Sequence, residues 1–251
     1  MAIALSSSQL PGFHCQPTLA DLHASVDTYN GLVDSEELQS EISPMHLRNL
    51  AKIFVKYDVH SRLGVHLIHG HSKLATGTVM LRHILTEPSG YWTKPVTIEE
   101  LDLATVQGHI FKLVAGDRFV AYEYTERRVN DVSDISFDFI RELVDYLRFN
   151  SLEGAVGLQI LGQDAGKMVE FDLGDCRTAM LRDQDTPRGP FQNHRVGFYI
   201  RRGDNLIQGP RNACTDGQRA SQGLDRRETR TKHSCSSGYI EEVWRYQLGR
   251  L

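Results

Sequence analysis

The chain has 251 residues, a formal net charge of −4, and 40% apolar against 24% charged residues. This length can bury a core without help from disulfides or metals, and the composition is ordinary for a globular protein. The mild charge argues against a nucleic-acid partner. No apolar run approaches the roughly 20 residues that span a bilayer, and the first residues lack the features of a signal peptide. We therefore expect a cytoplasmic protein without a membrane partner.

The first third of the chain contains one clear helix signal. Residues 1–34 show no sustained hydrophobic period, and we expect an irregular lead-in there. Ser43-Pro44 then supplies a helix cap and a proline that fits the first turn. Apolar residues follow at steps of three and four until Asp58, which predicts an amphipathic helix. They are Leu47, Leu50, Phe54 and Tyr57.

Two pairs of strand-like segments follow this helix. Leu63–His71 and Val79–Leu85 flank a glycine-containing turn, and Val106–Leu113 and Arg118–Thr125 flank Ala115-Gly116-Asp117. We predict a β-hairpin from each pair. Each pair contains Gly-His followed shortly by Lys-Leu-x-x-Gly, which indicates a duplicated hairpin.

The second half begins with a helix and continues as strands. Ser133-Asp134 predicts a helix start, and the expected buried face is Phe139, Ile140, Leu143, Val144 and Leu147. After Gly154 the hydrophobic period changes to two, which is typical of strands. Three strands of a meander are predicted: Ala155–Leu161, Lys167–Leu173 and Cys176–Leu181. A fourth strand is predicted over Arg195–Arg201.

These elements predict an α+β protein whose sheet is mainly antiparallel, built from two hairpins and a meander with two principal helices. We expect residues 35–202 to form a single domain. Residues 203–251 are polar and basic and show no usable period until a short helical pattern at Tyr239–Leu248.

The histidine run His66-Leu67-Ile68-His69-Gly70-His71 is the most informative candidate site. On a continuous strand, His69 and His71 would project from one face and His66 from the other. Two adjacent imidazoles are a common start for a divalent metal site. The hairpin similarity nominates His109 as the third ligand, and Glu123 or Glu170 could supply a carboxylate instead. Two histidines with a carboxylate suit Fe(II), and three histidines suit Zn or Cu. Alternatively, these histidines are structural and satisfied by their neighbours.

Gly64 and His69-Gly70-His71 resemble the first motif of the cupin family, which carries His-x-His, a following Glu and a downstream Gly. Ala75-Thr76 occupies the place of the Glu, and no second motif follows Gly116-Asp117. The resemblance therefore implies at most a barrel architecture.

The stretch Gly64–His71 is also similar to a Leu-Leu/Ile-His-x-His strand of uncharacterised fungal proteins, some of them associated with secondary-metabolite gene sets. This resemblance covers about residues 47–85. It implies a fungal, secondary-metabolism context and no particular activity.

Arg201 and Arg202 follow a predicted strand, where guanidinium groups can clamp a carboxylate or phosphate. Our leading hypothesis is a metal-dependent enzyme in which His69, His71 and His109 hold a divalent metal and Arg201 or Arg202 orients an acidic small molecule. A non-catalytic small-molecule-binding or accessory protein is the alternative. A metal-free acid–base enzyme using one of these histidines is the third hypothesis.

Overall fold

A computed structural model gives the fold of most of the first 162 residues and of several later strands. The residues that it describes are 10–33, 42–70, 72–85, 90–126, 130–162, 168–172, 178–182, 192–195, 197–198 and 213–216. Three α-helices lie in these segments: α1 (Leu19–Asn30), α2 (Pro44–Lys56) and α3 (Phe137–Phe149). A 3-10 turn covers Ile98–Glu100.

The described strands form one sheet. They are β1 (Leu63–Leu67), β2 (Thr78–Leu85), β3 (Gly90–Thr97), β4 (Gln107–Val114), β5 (Arg118–Thr125), β6 (Val156–Ile160), β7 (Met168–Asp172), β8 (Thr178–Arg182), β9 (Gln192–Arg195), β10 (Gly197–Phe198) and β11 (Ala213–Asp216). Their order across the sheet is β10-β1-β6-β4-β5-β2-β3-β8-β7-β11-β9. Among the described ladders, β2–β5 and β7–β11 are parallel and the others are antiparallel. The predicted α+β class with a mainly antiparallel sheet is confirmed.

The strand pairings differ from the predicted hairpins and meander in two places. The β4–β5 hairpin is formed as predicted. In contrast, β1 pairs with β6 and β10, and β2 forms its hairpin with β3. Strand β6 lies between β1 and β4, so only β7 and β8 of the predicted meander are neighbours. Local alternation identifies strands, but their partners are chosen by the packing of the whole sheet.

The two predicted helices are present, with caps that explain where they begin. The Ser43 hydroxyl accepts a hydrogen bond from His46 N–H at 3.3 Å, one turn into α2. Helix α3 is capped by Ser136, whose hydroxyl accepts from Phe139 N–H, so it begins three residues later than Ser133. Its predicted apolar face is buried in full.

Helix α1 lies inside the segment that we expected to be irregular. A capping box starts it: the Thr18 hydroxyl accepts from Asp21 N–H, and the Asp21 carboxylate accepts from Thr18 N–H at 2.9 Å. Leu22, Val26 and Tyr29 then pack into the same core as the sheet. One position of its buried stripe is a serine, which is why the hydrophobic period is weak.

The core lies between the sheet and the helices. Helix α1 packs on β2 and β5, and α2 packs against α3. Near the other end of the chain, β11 falls inside the segment 203–251, for which the sequence predicted only a terminal helix, and it pairs with β7 and β9. The predicted helix at Tyr239–Leu248 lies outside the described residues.

Candidate functional site

The histidine run departs from the strand geometry that was expected of it. Strand β1 ends at Leu67: Ile68 N–H still donates to Ala155 O in the register of β6, but Gly70 N–H donates to Val33 O, in the segment after α1. Alternation along a strand therefore does not extend to His69. The rings of His66 and His69 stack on each other, with centroids 5.2 Å apart and planes at 24°. The expectation that these two side chains project from opposite faces is wrong, and His71 lies outside the described residues.

The buried ring of His69 has a defined tautomer. Its Nδ1 atom lies 2.8 Å from the carbonyl oxygen of Leu67, and a carbonyl oxygen can only accept a hydrogen bond. Nδ1 therefore carries a proton, and in the neutral ring Nε2 carries the lone pair. This arrangement, with a backbone carbonyl on the far nitrogen, is the usual one for an imidazole that binds a metal or accepts a proton.

His109 lies at an irregularity in β4 and is joined to two other polar side chains. The pairing register with β5 shifts between Gly108 and Ile110, which makes His109 the extra residue of a bulge. Its ring is 1% exposed. The guanidinium of Arg82 is within hydrogen-bond distance of both ring nitrogens and nearest to Nε2, and Gln159 Nε2 lies 3.2 Å from the same Nε2.

The donors around His109 determine its protonation state. Guanidinium and amide N–H groups can only donate, so His109 Nε2 acts as an acceptor and the ring is neutral. A metal ion at this nitrogen would displace both donors and would lie beside a permanent positive charge. The geometry therefore does not suit His109 as the third metal ligand.

We refer to Arg82, His109 and Gln159 as the sheet polar cluster. They belong to β2, β4 and β6, and all three are buried. The guanidinium carbon of Arg82 lies 3.3 Å from the ring centroid of Tyr91 on β3, a cation–π contact. Residues on three non-consecutive segments thus meet at one point of the sheet.

Pairing registers place two further polar residues on the faces used by this cluster. Arg82 pairs with Thr125 and Met80 pairs with Glu123, so the half-buried Glu123 is on the Arg82 face. Similarly, Gly64 pairs with Gln159 and His66 pairs with Gly157, which places His66 on the Gln159 face. The backbone of Glu170 lies in β7, which is separated from β4 in the sheet by four strands: β5, β2, β3 and β8.

Sequence reasoning singled out His109 but missed Arg82 and Gln159. The missed signal is a polar residue inside an otherwise apolar strand, as in Val79-Met80-Leu81-Arg82 and in Val156-Gly157-Leu158-Gln159-Ile160. Such a residue cannot be assigned to a wet face when both faces of the strand are buried. The predicted substrate-binding residues Arg201 and Arg202 lie outside the described residues.

A further histidine, His83, follows Arg82 on β2. His83 Nδ1 lies 2.9 Å from Glu126 Oε1, and His83 pairs directly with Trp92 on β3. Because a strand alternates, His83 projects from the face opposite Arg82. Burial lowers the pKa of this imidazole, and the Glu126 carboxylate opposes that shift.

Comparisons with protein-family models, with curated proteins and with solved structures found no match to this sequence. Within the described segments, no three or more His, Cys, Asp or Glu side chains are grouped as a metal site requires. None of the three described helices is long and apolar enough to cross a membrane.

Proposed function

We propose that this protein binds an acidic small molecule at the sheet polar cluster. The observation that supports this proposal is that Arg82 and Gln159, from two other strands, both lie within hydrogen-bond distance of His109. Binding sites for small molecules typically combine apolar walls with a few convergent polar groups. Arginine is the side chain best suited to a carboxylate or phosphate.

The energetics of the cluster also favour a ligand-binding role. Removing a guanidinium from water costs several kcal/mol, and apolar residues of similar volume often serve stability equally well. Arg82 is only 6% exposed and lies in a strand flanked by buried apolar residues. A guanidinium fixed in the sheet by His109 and by the ring of Tyr91 is already oriented to receive a negatively charged group, which lowers the entropic cost of binding.

The test is a thermal-shift screen of small carboxylic acids, each measured beside its primary amide. The wild type is compared with Arg82→Met and with a control, Arg141→Met, which removes an exposed arginine paired with Asp138 on α3. We expect at least one acid to raise Tm of the wild type and of the control but not of Arg82→Met, and its amide to have no effect. Equal shifts in all three proteins, or no shift with any acid, would overturn the proposal.

A metal-dependent enzyme is the second candidate, and the tautomer of His69 favours it. Nδ1 of His69 donates to Leu67 O, which is the usual arrangement for an imidazole that binds a metal through Nε2, and His71 would be the next ligand. A bound Zn, Fe or Cu would polarise a substrate or activate water. The resemblance to fungal secondary-metabolism proteins supports a substrate from that chemistry.

Metal content tests this second candidate directly. The purified protein is loaded with Zn²⁺, Fe²⁺ or Cu²⁺, desalted and analysed for metal beside His69→Ala and His46→Ala. His46 is a suitable control, because it lies on α2 and contacts Tyr146 OH at 2.8 Å. Near-stoichiometric metal that is lost only in His69→Ala would support the metal site. A wild type that retains no metal would exclude it.

A further inference from the structure

Residues 10–15 form a compact strap that we call the N-terminal clasp. Phe13 N–H and His14 N–H both donate to Leu10 O, and Gly12 N–H donates to Cys15 O at 2.8 Å. These bonds close the segment on itself immediately before α1. The clasp is therefore a small folded unit and can move as one.

The clasp lies directly on the bulge that positions His109. Gly108 N–H donates to Gly12 O at 2.9 Å. A Cβ atom at Gly12 would stand 3.0 Å from Gly108 N, and the φ angle of Gly12 is +77°. Both the close approach and the backbone conformation require glycine. The clasp therefore hydrogen-bonds to, and packs closely against, the backbone next to His109.

A single buried imidazole ties the clasp to the loop before α3. Leu10 N–H donates to His14 Nδ1 at 3.2 Å, and His14 Nε2 lies 2.9 Å from Ile135 O. A backbone N–H can only donate and a carbonyl can only accept. Both contacts can be made together only by a neutral ring that carries its proton on Nε2. Protonation of Nδ1 removes the Leu10 contact, which closes the clasp on itself, and leaves two N–H groups facing each other, while the Nε2 bond to Ile135 persists.

The described side chains that pack on the His14 ring are aromatic and uncharged. The His14 ring packs between the rings of Phe13 and Phe137, with centroids at 4.9 and 4.6 Å. The carboxylates of the neighbouring loop and helix are engaged with other groups: Asp131 with Ser133, Asp134 with Arg62 and Asp138 with Arg141. Burial lowers the pKa of His14, and the bond to Ile135 opposes this only in part.

We propose that the N-terminal clasp is a pH-sensitive regulator of the sheet polar cluster: protonation of His14 opens the clasp at Leu10 and thereby loosens Gly12 on the Gly108–Ile110 bulge. This inference rests on the proposed function, since it assigns regulation to the same site. In the closed state Gly12 of the clasp accepts a hydrogen bond from Gly108 and so fixes the backbone next to His109. In the acid state the clasp opens, and the backbone beside His109 loses the support of Gly12.

The expected size of the effect follows from proton linkage. An imidazole released from the clasp has a pKa of about 6.5, whereas burial lowers the pKa of His14 in the closed state. The opening equilibrium constant therefore rises by up to about tenfold between pH 7.5 and pH 5.5. Above pH 7.5 it is nearly constant.

Hydrogen exchange of the full chain, read by mass spectrometry and corrected for intrinsic pH dependence, tests this proposal without any ligand. We expect peptides covering residues 10–16 and 105–112 to lose protection on acidification, while peptides of α2 and α3 do not. A glutamine at position 14 can make the bonds to Leu10 and Ile135 without titrating. The protection of these peptides in His14→Gln should therefore be independent of pH. The control His46→Gln should behave as the wild type.

Two results would overturn the proposed pH-dependent opening of the clasp. One is wild-type exchange protection that does not change with pH, and the other is the same pH dependence in His14→Gln. If His14→Gln does not fold, an NMR titration of the His14 ring in the wild type decides instead. A titration midpoint at or above 6.5, with no loss of Gly108 amide protection, would overturn the proposal. Because neither measurement uses an acid ligand, failure of the clasp is distinguishable from failure of the binding site.

Discussion

Arg82 on β2 donates a hydrogen bond to His109 Nε2 on β4, across the intervening strand β5. Both side chains are buried. The contact joins a permanent cation to the imidazole nitrogen that a metal ion would need, and it explains why the geometry does not suit His109 as a metal ligand. The contact also predicts that Arg82 and His109 are energetically coupled.

The coupling can be measured with a double-mutant cycle of Arg82→Met and His109→Phe. Each single change removes a buried hydrogen bond to a charged group, which contributes about 1.5–3 kcal/mol to the unfolding free energy. The double variant removes both partners, so we expect it to lose less than the sum of the two single losses. Urea denaturation of the four proteins, followed by circular dichroism, gives the coupling free energy.

A matched cycle uses Arg82→Met with His46→Phe, because His46 lies on α2 and contacts Tyr146. Changes at sites that share no partner should be additive within about 0.5 kcal/mol. If the Arg82 and His109 changes were additive to the same degree, the hydrogen bond would contribute nothing to the folded state.

The pH dependence of stability should reflect His83. Burial lowers its pKa below the unfolded value of 6.5. The unfolded chain therefore binds more protons than the folded protein as pH falls below 6.5, and stability is lost in that direction. Each such histidine contributes a slope of at most about 1.4 kcal/mol per pH unit. We expect His83→Gln to reduce the loss of unfolding free energy between pH 7 and pH 5.

The control for this measurement is His23→Gln, because His23 is exposed on α1. Its stability should follow the wild-type pH curve. A His83→Gln curve parallel to the wild type would show that the imidazole beside Glu126 is not kept neutral by burial.

Local pattern was sufficient for some elements and insufficient for others. Helices α2 and α3 and the β4–β5 hairpin were predictable, since a cap, a stripe or a turn is contained in a short window. The pairing of β1 with β6 joins segments about 90 residues apart, and only the packing of the complete sheet selects it. The cluster depends on this non-local strand order, so His109 could be singled out but its partners Arg82 and Gln159 could not.

Helix α1 illustrates a signal that was present but outweighed. The capping box Thr18-x-x-Asp21 is a sequence signature of a helix start, although the following period is weak. We expect Thr18→Ala to lower the unfolding free energy by about 1 kcal/mol. Thr28→Ala on the same helix is the control, because the Thr28 hydroxyl only bonds back to Ala24 O at 3.5 Å. If urea denaturation gave equal losses of unfolding free energy for Thr18→Ala and Thr28→Ala, the capping role of Thr18 would be contradicted.

Gly157 on β6 provides the most direct test of the packing beneath the cluster. A Cβ atom at this position would stand 2.7 Å from Phe111 O on β4 and 3.3 Å from Ile68 Cγ1. Strand β6 is hydrogen-bonded to both β1 and β4, so the backbone cannot move aside without disturbing a ladder. We expect Gly157→Ala to lower the unfolding free energy by about 1–3 kcal/mol, as overpacking does.

The matched control is Gly154→Ala, three residues earlier, where an added Cβ has no atom within 4 Å. That change should be neutral within about 0.5 kcal/mol or slightly stabilising, because alanine restricts the unfolded chain. Since Gly157 lies two residues from Gln159, its substitution should also weaken any acid-induced Tm shift, whereas Gly154→Ala should leave that shift intact. Equal effects of the two substitutions would mean that β6 does not lie as closely against β4 as the cluster requires.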